Sequence, residues 1–377
     1  MKIAIVHERL TEIAGSEHVV TELAREWPDA PVSIPIADSR VTTCFSSRVN
    51  TSAALSTAYR ASGYRSYAPL LPLVPAWLRH RDFGAAEAVV ISHHAFALAA
   101  VNAASPIPTI AYVHSPARWA WDEKMRAEEA SSWPGRKALD LLSGLAIKTE
   151  LAAAQIITSI VANSTSVAAR IKRHWQRDAQ VVHPPVNIDF YTPDDSEARG
   201  EFFLLAGRMV SYKRPDVAIR AAVESGVKLV VAGDGRDAAK CRKLSTGGDV
   251  EFLGRVSDEE LRSLYRRAKA MVMPGEQDFG ITPVEAMACG TPVIALGVGG
   301  ALDSVVEGTT GTLIQVADDA AVVTGFAEKF ASFDSRNFDR LTIRAHAEQF
   351  SRENFRRNMA RIVTQAASTS NAERTPI

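Results

Sequence analysis

Sulfur, net charge and long apolar runs are all scarce in this chain, and each scarcity removes a class of function. Cys44, Cys241 and Cys289 are the only thiols and form no Cys-x-x-Cys pair. That excludes a disulfide framework and a thiolate metal site, and suits a reducing compartment in which thiols serve as small buried side chains. With 43 basic residues against 43 acidic ones the chain carries no net charge, so no global field favours nucleic acid or an acidic partner. No Asp-x-Asp occurs and no His/carboxylate pair has ligand spacing on one helix, so neither a metal nor another cofactor is expected. The N-terminus, MKIAIVHERL, has a single basic residue before a short apolar run and reads as a first strand, not a signal peptide. Residues 88–117 lack Lys, Arg, Asp and Glu, yet contain His93, His94, Asn102, Pro106, Pro108 and His114. Those residues are expensive in hydrocarbon, so two buried strands around a short helix fit better than a membrane span. A cytoplasmic protein follows, attached at most to the inner face of the plasma membrane.

What is present is alternation. Short apolar runs and helical stretches succeed one another almost from end to end, which predicts an α/β protein built on parallel sheets covered on both faces. Strands are expected at KIAIVH, VSIPIA, AVVISHH, TIAYVH, QIITSIVANS and AQVVHP, then at FFLLAG, VKLVVAG, VEFLG, AMVMPG, PVIAL and TLIQV. Helices are expected at 16–26, 164–175, 215–224, 258–269 and 281–289, and again at 318–331, 337–350 and 351–366. Periodicity stops in NIDFYTPDDSEARG, residues 187–200, where Pro, Asp and Ser accumulate. Two doubly wound, Rossmann-like domains are therefore predicted, 1–193 and 194–350, followed by a helix at 351–366 and a frayed tail at 367–377. Ligands of such sheets bind outside the carboxyl ends of the strands, which makes a cleft faced by both domains the expected site.

The densest chemistry lies in residues 272–300. A strand runs into a loop with Glu276, Gln277 and Asp278, then Phe279 and Gly280, and a helix opens at Ile281 with Pro283 in its first turn and Glu285 one turn further on. Gly290 and Pro292 end that helix. A second strand leads into Gly297-Val298-Gly299-Gly300 and a further helix, where backbone N–H groups can approach an anion. Upstream, FFLLAG leads into Gly207-Arg208 and then Lys213. Taken alone these are two ordinary surface bases near a helix start. At the carboxyl end of a strand in the same sheet as the Glu285 segment, they read as a diphosphate clamp. Gly233-Asp234-Gly235 satisfies a G-x-G-x-x-A spacing, but VEFLG ends without the acidic residue a dinucleotide site needs, so nicotinamide binding is disfavoured. Gly15 and Ser16, between the first strand and the first helix, are further candidates for a phosphate or acceptor contact. Ser164 is first a helix N-cap.

The Glu285 segment resembles the retaining glycosyltransferases of the fourth classified family, whose pattern is a Glu, seven residues, a second Glu and Ala-Met-Ala-Cys-Gly. The first glutamate of that pattern falls on Gln277 here, which keeps an acceptor oxygen but loses the charge. Gly207-Arg208 and Lys213 match the family's Gly-Arg, four residues, Lys pattern. Ala14-Gly15-Ser16-Glu17 stands where the family has Gly-Gly-Ala-Glu. His114-Ser-Pro-Ala-Arg-Trp-Ala-Trp-Asp122 is similar to the His-Thr-Pro-x-Arg-x-x-Trp-Asp run of mannosyltransferases that use nucleotide-linked mannose.

The resemblance implies the GT-B architecture, with the last helix crossing back to the first domain, and mannose transfer with retention from GDP-mannose. It assigns the ribose hydroxyls to Glu285, the diphosphate to Arg208 and Lys213, and the donor hexose to residues 277–280 and to His114, with Glu276 and Ile281 also counted as donor-binding. It places Gly233 and Gly235 by the base. His93 and His94 stand between acceptor contact and packing, and Arg118 and Asp122 are expected to order their loop. The family includes enzymes acting on phosphatidylinositol mannosides and others building lipid-linked polysaccharides, so a glycan or glycolipid acceptor is implied. Residues 59–83 interleave Tyr59, Tyr64, Tyr67 and Trp77 with Arg60, Arg65, Arg79 and Arg81, which suits either an anionic membrane surface or a folded hairpin of the first domain. Another hexose donor, a sugar-nucleotide 2-epimerase and a binding protein weakened by Gln277 remain the alternative readings.

Overall fold

The computed structural model describes residues 1–377 except 14, 44, 46–47, 65, 130–132, 316–317 and 375–377. Ala14, Cys44 and Arg65, singled out above, lie outside the described residues. The chain divides into two compact units, Met1–Pro185 with Glu353–Ile377, and Val186–Arg352. The boundary therefore falls at Pro185, ahead of the polar stretch expected to carry it.

In the first unit the strands are β1 (Ile3–Val6), β2 (Arg9–Leu10), β3 (Val32–Ile34), β4 (Ile36–Ala37), β5 (Val49–Thr51), β6 (Ala88–His93), β7 (Thr109–Val113), β8 (Ser159–Ala162) and β9 (Gln180–Val181). Seven of them form one parallel sheet in the order β5-β3-β1-β6-β7-β8-β9. VSIPIA is not one strand. Pro35 has no N–H for the ladder, and beyond it β4 leaves the main sheet to pair with β2. In the second unit β10 (Phe202–Ala206), β11 (Lys228–Ala232), β12 (Val250–Gly254), β13 (Ala270–Met273), β14 (Val293–Leu296) and β15 (Gly311–Ile314) form a parallel sheet in the order β12-β11-β10-β13-β14-β15. Both sheets are doubly wound. Each reverses its winding at one point, between β1 and β6 in the first and between β10 and β13 in the second.

Continuous runs such as Ala88–His93 and Ala270–Met273 are buried along their whole length, because helices cover both sheet faces. On one face of the first sheet Val20, Leu23, Val90 and Tyr112 pack with Phe355, Met359 and Ile362 from the C-terminal helix. That helix runs Arg352–Arg374, well past the expected stop at 366, and the burial of Ala366 and Ala367 accounts for the extension. The helix Trp133–Ala154 was not legible in the sequence. Among the described residues no helix is long and apolar enough to cross a membrane.

Candidate active site

In the second unit the winding reversal puts the ends of β10 and β13 side by side. A pocket opens there, lined by Gly207, Arg208, Met209 and Lys213 from the loop after β10, by Met273 at the end of β13, and by Pro274 and Gln277 from the loop after it. Backbone bonds hold the loop after β10: Gly207 N–H donates to the Ala232 carbonyl, Met209 N–H to that of Asp234, and Asp237 N–H to that of Met209. Such contact demands glycine underneath. A Cβ on Gly233 would stand 1.9 Å from the Gly207 carbonyl oxygen, and one on Gly235 would stand 2.3 Å from that of Met209. The glycines assigned to the base thus have a structural task, supporting the Arg208 loop.

The Lys213 Nζ lies close over Gly207, 3.0 Å from where a Cβ would sit. Burial, with Arg208 alongside, lowers its pKa to about 8, and Glu285 pulls the other way. Arg208 is exposed. Glu285 lies on the helix Ile281–Ala288, accepts from the Tyr265 hydroxyl at 3.1 Å, and is raised by burial to about 7, with Asp258 adding to the rise and Lys213 opposing it. Within one unit, Lys213 therefore feels both the charge of Arg208 and that of Glu285. The helix starts at Gly280, which has no side chain to cap it.

Two sequence expectations need correction here. Phe279 is 3% exposed and packs on Phe350 with ring centroids 5.5 Å apart, so its side chain belongs to the core and only its backbone can face a ligand. The Gly297–Gly300 run does not form an anion site of the expected kind. The helix after it is only Ala301–Ser304, and the N–H groups of Val298, Gly300 and Leu302 already bond the carbonyls of Leu296, Gln277 and Gly299. A Cβ on Gly300 would fall 2.2 Å from the Phe279 Cα. This run braces the loop that carries Glu276, Gln277 and Asp278.

The first unit has its own polar cluster at the matching point of its sheet. His7 follows β1 and His114 follows β7, and the Ser92 hydroxyl sits between their rings, 3.1 Å from His7 Nδ1 and 2.8 Å from His114 Nε2. One hydroxyl has one proton, so at most one of those nitrogens receives it. Glu17, in the first turn of the helix Gly15–Glu26 that Ser16 also opens, lies 3.7 Å from His7 Nε2. Burial opposes its charge, but His7 and Arg9 outweigh that and bring Glu17 to about 2. His114 is pushed well below the usual histidine range by burial and by His7 and His94, so it is neutral at pH 7. Its second ring nitrogen remains for a ligand.

Two carboxylates that sequence reasoning passed over organise this end of the sheet. Glu8 is buried, and its Oε1 accepts from the backbone N–H groups of His94, Ala95, Phe96 and Ala97. Glu150, fully buried on the long helix, takes Ala117 N–H at 2.9 Å, His93 Nε2 at 3.0 Å, Trp121 Nε1 at 2.5 Å and Trp175 Nε1 at 3.2 Å. The segment from His114 to Asp122 is thus tied to a core carboxylate. His93, 0% exposed between Glu8 and Glu150, has a structural role. Asp122 accepts from Met125 N–H, and Ser164 caps its helix through Val167 N–H. The only sequence signal for Glu150 is an acid directly before the apolar run LAAA.

Residues 13–190 match the Glycosyltransferase Family 4 profile and residues 193–336 match Glycosyl transferases group 1. The chain carries both glycosyltransferase domains. Its relatives include proteins named D-inositol 3-phosphate glycosyltransferase. The one from Streptomyces scabiei is 32% identical over 223 residues, covering 51% of this chain and 50% of the relative. The one from Mycobacterium tuberculosis H37Ra is 34% identical over 217 residues, covering 52% and 45%. The chain spans about half the length of these relatives. Among solved structures, HepE from Anabaena in complex with UDP superposes with a TM-score of 0.71 at 19% identity, over 97% of this chain and 100% of that one. Sucrose-phosphate synthase from Thermosynechococcus elongatus gives 0.73 at 17% identity, over 98% and 99%. The fold of these two structures is the fold of this chain.

Proposed function

We propose that the chain is a retaining glycosyltransferase that moves mannose from GDP-mannose to the hydroxyl of a glycan or glycolipid. The observation that carries the reading is the shared pocket of Arg208, Lys213 and Gln277 at the winding reversal, with Glu285 acting electrostatically on Lys213. As the bond from the sugar's anomeric carbon to the diphosphate oxygen breaks, negative charge grows on the diphosphate. Preplaced cations stabilise that charge more in the transition state than in the ground state. The acceptor oxygen bonds the anomeric carbon on the face the leaving group vacates, and the acceptor proton passes to the departing phosphate oxygen. Glu285 takes the ribose hydroxyls, Gln277 with Glu276 and Asp278 takes the hexose, and His114 in its neutral form meets a hexose hydroxyl. Gly15 and Ser16 are assigned to phosphate or acceptor.

A nucleoside diphosphate sugar as donor is supported by HepE, which was solved with UDP and with UDP-glucose. The choice of GDP-mannose rests on the similarity of His114 to Asp122 to the mannosyltransferase run. The relatives' name favours a second reading, in which the acceptor is a polyol phosphate.

The test is a panel of nucleotide sugars, read first by the rise in melting temperature and then by product analysis. GDP-mannose is expected to stabilise the protein and yield an α-linked mannoside. Arg208→Ala and Lys213→Ala should each lower turnover by about 100-fold or more with the fold intact. Near-normal rates in both variants would overturn the clamp. Release of an epimerised sugar nucleotide without acceptor would make the protein an epimerase.

A further inference from the structure

The aromatic and basic segment that the sequence offers to a membrane is largely used up inside the first unit. Tyr59, Val74, Leu78 and Phe83 are core residues, and Tyr64, Tyr67 and Trp77 pack against that core while carrying Arg40, Arg9 and Arg81 on their rings. A different surface of the same unit is left apolar. On the helix Trp133–Ala154, Trp133 is 67% exposed, Leu141 78% and Leu151 38%, with Ile156 just beyond the helix at 51%. Lys137 and Lys148 are exposed between them.

At about 100° per residue, Trp133, Lys137, Leu141, Lys148 and Leu151 fall within one quadrant of the helix. The opposite side, with Ser143, Ala146, Thr149, Glu150 and Ala153, is buried. The face therefore alternates apolar and cationic side chains along nearly the whole helix, roughly 30 Å. Arg136 is exposed at its edge, and the acid beside it, Asp140, has Arg126 at 3.6 Å.

We propose that this face of the helix Trp133–Ala154 docks on an anionic phospholipid surface. Charge complementarity selects that occupant. Lysines between bulky apolar side chains can reach headgroup phosphates while Trp133, Leu141 and Leu151 enter the acyl boundary. A protein partner matching a stripe this narrow would need acids at helical spacing, whereas a fluid anionic surface needs no register. Each lysine near such a surface contributes on its own, and the attraction is screened by salt. The proposal relies on the glycolipid-acceptor reading only for its purpose. Vesicle binding is measured without donor or acceptor, so its failure and the failure of the transferase reading are separate outcomes.

The experiment is cosedimentation of the full chain with vesicles of phosphatidylglycerol and phosphatidylcholine, beside vesicles of phosphatidylcholine alone. Binding is expected to the anionic vesicles, falling by about 10-fold or more between low and high salt. Trp133→Ala with Leu141→Ala should reduce it by at least 10-fold, as should Lys137→Glu with Lys148→Glu. All four substitutions lie on the exposed face, so the melting temperature checks that folding is retained, and GDP-mannose hydrolysis without acceptor should be unchanged. Equal binding by wild type and both double variants overturns the proposal, as does no binding to either vesicle. A concentration-dependent dimer dissolved by these substitutions would identify the occupant as a second copy and overturn it too.

Discussion

Lys213 and Glu285 are each held where their charge is opposed, and the two respond to pH in opposite senses. The lysine, at about 8 against an ordinary 10.5, contributes stability that is present above 10.5 and is lost as pH falls through about 8. The glutamate, at about 7 against 4.5, contributes stability that is complete below 4.5 and is lost as pH rises through about 7. At pH 8 both therefore weigh against folding. Glu285→Gln keeps an acceptor for the Tyr265 hydroxyl and removes the charge. Calorimetry should show it stabilised by about 1–2 kcal/mol at pH 8 and nearly unchanged at about pH 4. The same shift at both values would put the effect in packing instead. A diphosphate needs Lys213 charged, so GDP affinity should fall as pH rises beyond about 8. Lys213→Arg should abolish that alkaline decline, which titration calorimetry at several pH values can read.

At the scale of elements, much of the second unit was legible because its signals are local. Pro215 and Gly226 bracket one helix, Gly290 and Pro292 follow another, and buried strands appear as plain apolar runs. That Arg208, Lys213 and Glu285 lie beyond the ends of neighbouring strands of one sheet was legible, because a strand end followed by a polar loop is a local signal. What escaped was long-range. The helix Trp133–Ala154 exposes Leu141 and buries Glu150, which blurs the apolar period a sequence reader relies on. Phe279 looked like part of a ligand loop because nothing local announces its packing on Phe350. Gly233 and Gly235 looked like nucleotide glycines because a close approach to neighbouring backbone has the same sequence signature as a close approach to phosphate. Glu150 joins the long helix to Ala117, Trp121, His93 and Trp175, so Glu150→Gln should do more than remove one bond. The new amide N–H₂ would face donors, and the expected cost is about 2–4 kcal/mol, seen as a lower melting temperature and faster exchange of the Ala117 and Trp121 protons.

At the scale of the molecule, the first unit is discontinuous and the second is not. Phe355, Met359, Ile362 and Val363 are each at most 2% exposed in the first unit's core, and Arg356 reaches the buried Glu22. Removing residues 353–377 strips those side chains away, at about 1.5–3 kcal/mol each, which together rivals the stability of a domain. The truncated chain should lose the first unit's unfolding transition in calorimetry while the second unit's persists, and limited proteolysis should leave a fragment close to Val186–Arg352. Retention of both transitions would show that the C-terminal helix is dispensable.

The same discontinuity imposes an order on biosynthesis. The half that leaves the ribosome first lacks one wall of its core until the final helix has been translated, whereas the half made later has all its strands in hand beforehand. The earlier-made half is therefore the later of the two to mature, and until that helix has left the ribosome it presents the apolar face that Tyr112 and Val90 share with it to whatever chaperone attends the nascent chain.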